Sequence, residues 1–240
     1  LDKEGKPGSN FQPGIEIHSK YTLFAEGCRG HLGKRLIEQF NLRENSQHQT
    51  YGIGLKELWE VDPTNSHPGH VMHTIGWPLD TETYGGSFLY HLSKNLVSVG
   101  FVLGLDYKNP YMSPYDEFQR FKTHPFVKEI FNGGRRISYG ARALNEGGWQ
   151  SLPKLSFPGG ALVGCDAGTL NTPKIKGTHT AMKSGMIASS EVFNELSLGK
   201  KNSEIINYQK NFVQSWAGIE LKKARNVRPS FKYGMKIGMV

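Results

Sequence analysis

Leu162-Val163-Gly164-Cys165-Asp166-Ala167-Gly168, followed by Asn171 and then by Lys176-Gly177-Thr178-His179, is the stretch that decides the fold. It reads as the end of an apolar strand, a glycine turn and the start of a helix running from about Thr178 to Leu196. The first backbone N–H groups of such a helix have no partner inside it, and the helix dipole adds partial positive charge. The anionic edge of a ligand is stabilised there. Ala181, Gly185 and Ala188 fall on one helix face with Val192 and Leu196, so something packs close to the small residues at its start. An ordinary strand-to-helix turn beside the core would show the same pattern, and this motif alone leaves both readings open.

A second strand, turn and helix precede it. Ile15 to Ala25 has strand character, Glu26-Gly27-Cys28-Arg29-Gly30 is a turn, and Leu32 to Phe40 forms a short helix with Leu32, Leu36, Ile37 and Phe40 on one face. Residues 1–14, rich in Gly, Pro and Asn, read as a hairpin tip between strands. Between the two motifs, Tyr51 to Val61, His70 to Leu79, Gly86 to Leu92 and Leu96 to Asp106 predict an antiparallel sheet with glycine breaks. Ser113-Pro114 opens a helix to about Thr123, Pro125 to Phe131 forms another, and Arg135 to Arg142 is strand-like. A last helix, Glu204 to Leu221, carries Ile205, Tyr208, Phe212, Trp216 and Ile219 as a stripe, followed by the basic residues Lys222, Lys223, Arg225, Arg228, Lys232 and Lys236. The overall class is α+β.

The 240 residues carry a net charge of +8, which favours an anionic partner such as nucleic acid, an acidic protein or a membrane face. No zinc-finger, basic-zipper or RNA-binding signature is present, so no nucleic acid is expected. The two cysteines, Cys28 and Cys165, cannot supply the four thiolates of an iron–sulfur cluster. No apolar run approaches the ~20 residues of a membrane-spanning helix. His67, His70 and His73 recur at intervals of three, but Pro68 forbids a regular helix and no carboxylate or cysteine completes a metal set. Gly76-Trp77-Pro78-Leu79-Asp80 with Thr83-Tyr84-Gly85-Gly86-Ser87-Phe88 has the spacing of a bulge or hairpin; paired glycines after an aromatic also admit a flat ligand. Arg142, among small residues and just before Asn145, is a better candidate for reaching a cofactor than Arg135 or Arg136. The chain opens at Leu1 in a polar, turn-rich stretch, so it is expected to be an internal piece of a longer protein.

The turn Ala25-Glu26-Gly27-Cys28-Arg29 resembles the Ala-Asp-Gly turn of flavoprotein hydroxylases and prenyl reductases, with Glu26 for the aspartate and with Gly30 and Gly33 for that motif's serine and final arginine. Longer runs, Leu105-Asp106-Tyr107-Lys108-Asn109-Pro110-Tyr111, Tyr139 to Gly148 and Pro173-Lys174-Ile175-Lys176-Gly177-Thr178-His179, are similar to the electron transfer flavoprotein–ubiquinone oxidoreductase family. The resemblance implies a partial FAD-binding domain of the hydroxylase/prenyl reductase type at residues 1–40 and 135–200, with an antiparallel-sheet ubiquinone-binding domain inserted at 41–134. Residues 201–240 would be an amphipathic helix and basic segment leading to an iron–sulfur domain. It implies FAD contacts at Glu26, Gly27, Arg142, Gly164, Gly168, Gly177 and Thr178, and ubiquinone contacts at Gly85 and Gly86. The wider superfamily has aspartate at Cys165, which is therefore not read as a redox thiol.

The function so implied is electron transfer from reduced electron transfer flavoprotein, through FAD and a [4Fe-4S] cluster, to membrane ubiquinone. The dinucleotide Gly-x-Gly-x-x-Gly and the cluster cysteines are not in this sequence, so the [4Fe-4S] group belongs to the longer protein only. No side chain is required as a catalytic acid or base. Monotopic attachment to the matrix face of the mitochondrial inner membrane, or to a bacterial cytoplasmic membrane, is expected, with the Glu204 to Leu221 stripe either lying on lipid or packing inside the protein. The alternatives are a related FAD-dependent oxidoreductase of a prenyl or aromatic substrate, and a non-catalytic split or truncated subunit.

Overall fold

The computed structural model describes residues 1–238. Side chains alternate along β2 (Tyr51–Glu60). Gly52, Gly54 and Lys56 share one face, and Ile53, Leu55, Glu57 and Trp59 share the other. β2 lies inside a five-stranded antiparallel sheet of order β3-β4-β5-β2-β6, formed with β3 (Val71–Ile75), β4 (Gly85–His91), β5 (Leu96–Gly104) and β6 (Arg135–Asn145). Leu89, Val97, Val99, Phe101 and Leu103 point to one side and pack with Phe118 and Phe121 of α2 (Pro114–Lys122) and Val127 and Phe131 of α3 (Pro125–Phe131). The Ser113 hydroxyl accepts the Asp116 N–H at the start of α2.

The other side of the sheet is rich in glycine. Gly86, Val102, Gly54 and Arg142 form one cross-strand row, and Phe88, Gly100, Lys56 and Gly140 form the next but one. Glycine at so many positions of one face removes the side chains that would otherwise cover the backbone.

A smaller sheet of order β1-β8-β7 holds β1 (Thr22–Phe24) parallel to β8 (Gly160–Leu162), with β7 (Ser156–Phe157) antiparallel to it. Around it lie α1 (His31–Gln39), α4 (Thr178–Ser197), α5 (Ile206–Gln214) and α6 (Trp216–Lys223), with a core that includes Phe157, Leu162, Ala188, Tyr208, Phe212 and Leu221. Two short helices, α7 (Val227–Ser230) and α8 (Met235–Gly238), follow.

The structure differs from the sequence expectations at five places. The strand expected from Ile15 to Ala25 shrinks to Thr22–Phe24, and Ile15 and Ile17 are exposed because no neighbouring strand pairs there. Residues 1–14 are not a hairpin tip between strands; Asp2 accepts the N–H groups of Glu4 and Lys6 in a local turn. Arg135–Asn145 is hydrogen-bonded to β2, so a division at residue 134 cuts the larger sheet, which continues to residue 145. The buried face of α4 is Thr180, Ser184, Ala188 and Glu191 rather than the Ala181–Leu196 stripe. Thr180 and Ser184 turn their hydroxyls back to the carbonyls of Gly177 and Ala181, which lets polar residues sit in a close crossing.

The helix expected from Glu204 to Leu221 is two helices broken at Ser215, whose hydroxyl caps α6. Ile205, Tyr208 and Phe212 are at most 1% exposed, and the Tyr208 hydroxyl donates to the Leu162 carbonyl. The Ile205, Tyr208 and Phe212 part of the stripe is a packing face, whereas Trp216 and Ile219 are about half exposed. We therefore expect Phe212→Ala to destabilise the protein by about 3 kcal/mol in urea denaturation, with vesicle binding unchanged. An unchanged midpoint with lost vesicle binding would restore the lipid-facing reading.

Candidate functional site

The glycine-rich face of the larger sheet is the floor of a cavity of about 1280 Å³. Ile75, Gly86, Val102, Gly54 and Arg142 lie in one row across that floor. The start of α4 (Gly177, Thr178, Ala181, Met182), residues of the preceding loop between Leu170 and Ile175, Val227 and Phe231 stand over it. The volume exceeds the ~300–1,000 Å³ usual for one small molecule.

Of the nine residues singled out from sequence, Gly85, Gly86, Arg142, Gly177 and Thr178 meet in this cavity. Gly164 and Gly168 do not line it; they are buried in the turn before α4. Their φ angles of +60° and +80° are in the left-handed region that favours glycine. The Gly164 N–H donates to the Ser184 hydroxyl at 2.8 Å, which ties the turn to α4. Glu26 and Gly27 sit at the start of α1 instead. The Glu26 carboxylate accepts the N–H groups of Leu32 (3.3 Å) and Gly33 (2.7 Å), so it occupies the donors of that helix end itself. The glycines that replace the motif's serine and arginine make room for this arrangement: a Cβ on Gly30 would fall on Glu26, and one on Gly33 would fall on the Asp166 carboxylate.

Packing by itself requires the glycine pair of β4. A Cβ on Gly86 would collide with the Thr74 carbonyl, and one on Gly85 would lie 2.6 Å from the Val102 carbonyl. Gly54 is different: a Cβ there would make ordinary contacts with Val102 and Leu144 at 3.6 and 3.8 Å and would project over the cavity floor.

Sequence reasoning missed a set of buried polar residues at the end of β6. Asn145 donates to the Cys28 carbonyl at 3.2 Å, but its own side-chain oxygen has no partner. Gln49 accepts the Gly147 N–H, and its NH₂ group, beside Gly168, is also unpartnered. Glu146 is 2% exposed, with one carboxylate oxygen unpartnered. The only sequence signal for Asn145 and Glu146 was their place in the unusual Leu144-Asn145-Glu146-Gly147-Gly148 run, and Gln49 had none.

Burial pushes the Glu146 carboxyl up to about 7, with Arg228 opposing. Burial raises Asp166 to about 6, and the nearby Glu26 charge adds to this. Burial also raises the thiols of Cys28 and Cys165, which are both free and therefore hold their protons near neutrality. Among the described residues no group of three or more His, Cys, Asp or Glu side chains could hold a metal ion. No described helix is long and apolar enough to cross a membrane.

Comparison with solved structures defines the fold. A geranylgeranyl bacteriochlorophyll reductase-like protein from Thermoplasma acidophilum superposes with a TM-score of 0.70 at 16% identity, over 92% of this chain and 51% of that one. A flavin-dependent brominase gives a TM-score of 0.60 at 17% identity, over 92% of this chain and 54% of that one. The chain thus has the fold of these reductase- and halogenase-type proteins. Residues 51–144 match the family model described as ETF-QO, ubiquinone-binding. Human mitochondrial electron transfer flavoprotein–ubiquinone oxidoreductase is 56% identical over 237 residues, 96% of this chain and 38% of the human one. The Arabidopsis thaliana protein of the same name is 54% identical over 241 residues, 100% of this chain and 38% of its own length. Over nearly its whole length the chain is similar to these electron transfer flavoprotein–ubiquinone oxidoreductases, and it spans about 38% of their length.

Two acids with raised pKa values set a pH trend. Between about pH 4.5 and 7 Glu146 is protonated when folded and ionised when unfolded, and Asp166 behaves alike up to about 6. Unfolding then releases protons, so their contribution to stability is complete below about pH 4 and lost as pH rises through 7. Denaturation at pH 5 and pH 8 is expected to show a fall on the order of 2 kcal/mol, smaller in Glu146→Gln.

Proposed function

We propose that this chain carries the quinone-reducing part of a flavin-dependent oxidoreductase that takes electrons from electron transfer flavoprotein. The cavity carries the reading: one open volume joins the start of α4 to Gly85 and Gly86 on the larger sheet. In the domain division, residues 1–40 and the region after β6 belong to the flavin-binding part, and the larger sheet with α2 and α3 forms the ubiquinone-binding part. The family description for residues 51–144 supports this assignment of the sheet.

FAD is the cofactor of this reading, and the residues present suit it. The first turn of α4 has no side-chain cap at Gly177, so its N–H groups are open to an anionic ring edge. The left-handed Gly164 and Gly168 keep the turn below it free of side chains. Asn145 and Gln49 hold unspent hydrogen-bonding groups close by. When bound, FAD supplies electron storage and transfer. The chain's own part is to orient the ring at Thr178, to offer Arg142 as a positive neighbour, and to keep an apolar path for the quinone over Val102 and Gly54. A [4Fe-4S] cluster does not fit these residues: the two cysteines stand alone, and no described group completes a ligand set. Its ligands belong to the rest of the longer protein in this reading.

Peripheral attachment to the matrix face of the mitochondrial inner membrane suits a lipid-soluble quinone and the word mitochondrial in the relatives' names. The α5 stripe is not its anchor, because it is buried.

Gly54→Leu is the test, since it fills the floor without striking the backbone. In the full-length protein it is expected to weaken binding of a short-chain ubiquinone analogue at least tenfold, with flavin content and thermal midpoint unchanged. Unaltered quinone affinity in a folded, flavin-replete Gly54→Leu protein would refute this site.

A further inference from the structure

Gly52 and Gly104 face each other across β2 and β5. A Cβ on Gly52 would fall on the Glu146 carboxylate; one on Gly104 would lie 2.6 Å from Asp106 and 2.8 Å from the Arg228 guanidinium. These paired glycines make room for a charged cluster at one end of the cavity. Arg228, 8% exposed, comes from α7 and lies with its guanidinium 4.2 Å from the Tyr84 ring centroid. Asp106 takes two hydrogen bonds from it, at 2.7 and 3.0 Å. Glu146 stands 3.5 Å from Arg228 Nε, within ion-pair reach, yet neither that nitrogen nor the facing carboxylate oxygen makes a hydrogen bond. Two carboxylates thus share one guanidinium: the half-exposed Asp106 holds it, and the buried Glu146, which lines the cavity, is left over.

We propose that Glu146 is the proton donor to the bound quinone, a role that rests on the quinone reading of this cavity. Quinone takes two electrons and two protons to become the quinol. The electrons come from the reduced cofactors of the longer protein. As they arrive, the O–H bond of the Glu146 carboxyl breaks and an O–H bond forms on a quinone oxygen. The carboxylate left behind is stabilised by Arg228. The second proton, and the one that restores Glu146, come from solvent acid. A buried acid poised near the working pH suits this task. Burial raises its titration first, Arg228 from α7 opposes and Asp106 just beyond β5 adds to it; the neighbouring Tyr84, ahead of β4, is itself pushed up to about 12 by burial. The Thr172 hydroxyl reaches the Glu146 backbone carbonyl at 3.4 Å and not its carboxyl group.

The experiment uses the full-length protein with Glu146→Gln and Asp106→Asn variants. In wild type, a buried carboxyl C=O band in the infrared spectrum is expected to titrate near pH 7 and to vanish in Glu146→Gln. That variant should bind a quinone analogue normally but reduce it at least tenfold more slowly, without the wild-type pH dependence near 7. Asp106→Asn should free Arg228 for Glu146 and move the band's titration to lower pH. If Glu146→Gln does not fold, this shift in Asp106→Asn decides the matter. Normal binding with an unchanged rate, pH profile and band in Glu146→Gln, or an unmoved band in Asp106→Asn, overturns the donor role alone. An affinity insensitive to Gly54→Leu overturns the quinone site beneath it.

Discussion

The alternation of side chains along the five-stranded sheet is the constraint on which the rest depends. One set of positions holds Leu, Val and Phe and is closed by α2 and α3. The other set interleaves Gly52, Gly54, Gly86, Gly100, Gly104 and Gly140 with larger residues such as Phe88, Val102 and Leu144, and so leaves a hollow between them. A sheet normally buries both faces or leaves one polar. Here the second face is left hollow, and the chain brings the start of α4, the Leu170–Ile175 loop and α7 over it. The cavity is a product of residue choice along strands as much as of the helices above.

The glycines serve several different ends. Gly86 lets β3 and β4 approach, Gly52 and Gly104 accommodate ionisable groups, and Gly164 and Gly168 supply left-handed backbone. Only Gly54 and Gly140 are free of tight neighbours on the cavity face, so the shape of the floor and the integrity of the sheet are set by different positions.

Much of this was legible in the sequence. The strands of the larger sheet, α1, α2 and α3, and the strand–turn–helix at Leu162 to Thr178 follow from local periodicity and turn chemistry, and they appear within a few residues of expectation. Three of the differences come from information that local patterns lack. Ile15 and Ile17 alternate correctly but find no partner strand. The Ile205 to Phe212 stripe could not reveal whether protein or lipid would cover it, and Leu162 and its neighbours settled that. The pairing of β6 with β2 joins residues some eighty apart in sequence. The carboxylate of Glu26, read by analogy as a cofactor contact, also accepts N–H groups at the start of α1, which the analogy did not foretell. The cluster around Glu146 was hidden for a similar reason, since Gly104, Asp106, Glu146 and Arg228 meet only after the sheet and α7 are in place.

The hollow face also bears on how the chain is made. During synthesis from the N-terminus, β2 to β6 emerge by residue 145, while the elements that cover the glycine side, from Leu170 to Phe231, follow later. A half-built protein with an uncovered layer of leucine and valine would invite association with its neighbours. A layer of glycine presents mostly peptide backbone, which water solvates well. Broken only by side chains such as Ile75, Phe88, Val102 and Leu144, that face shows less sticky surface before its roof arrives than a full layer of leucine and valine would.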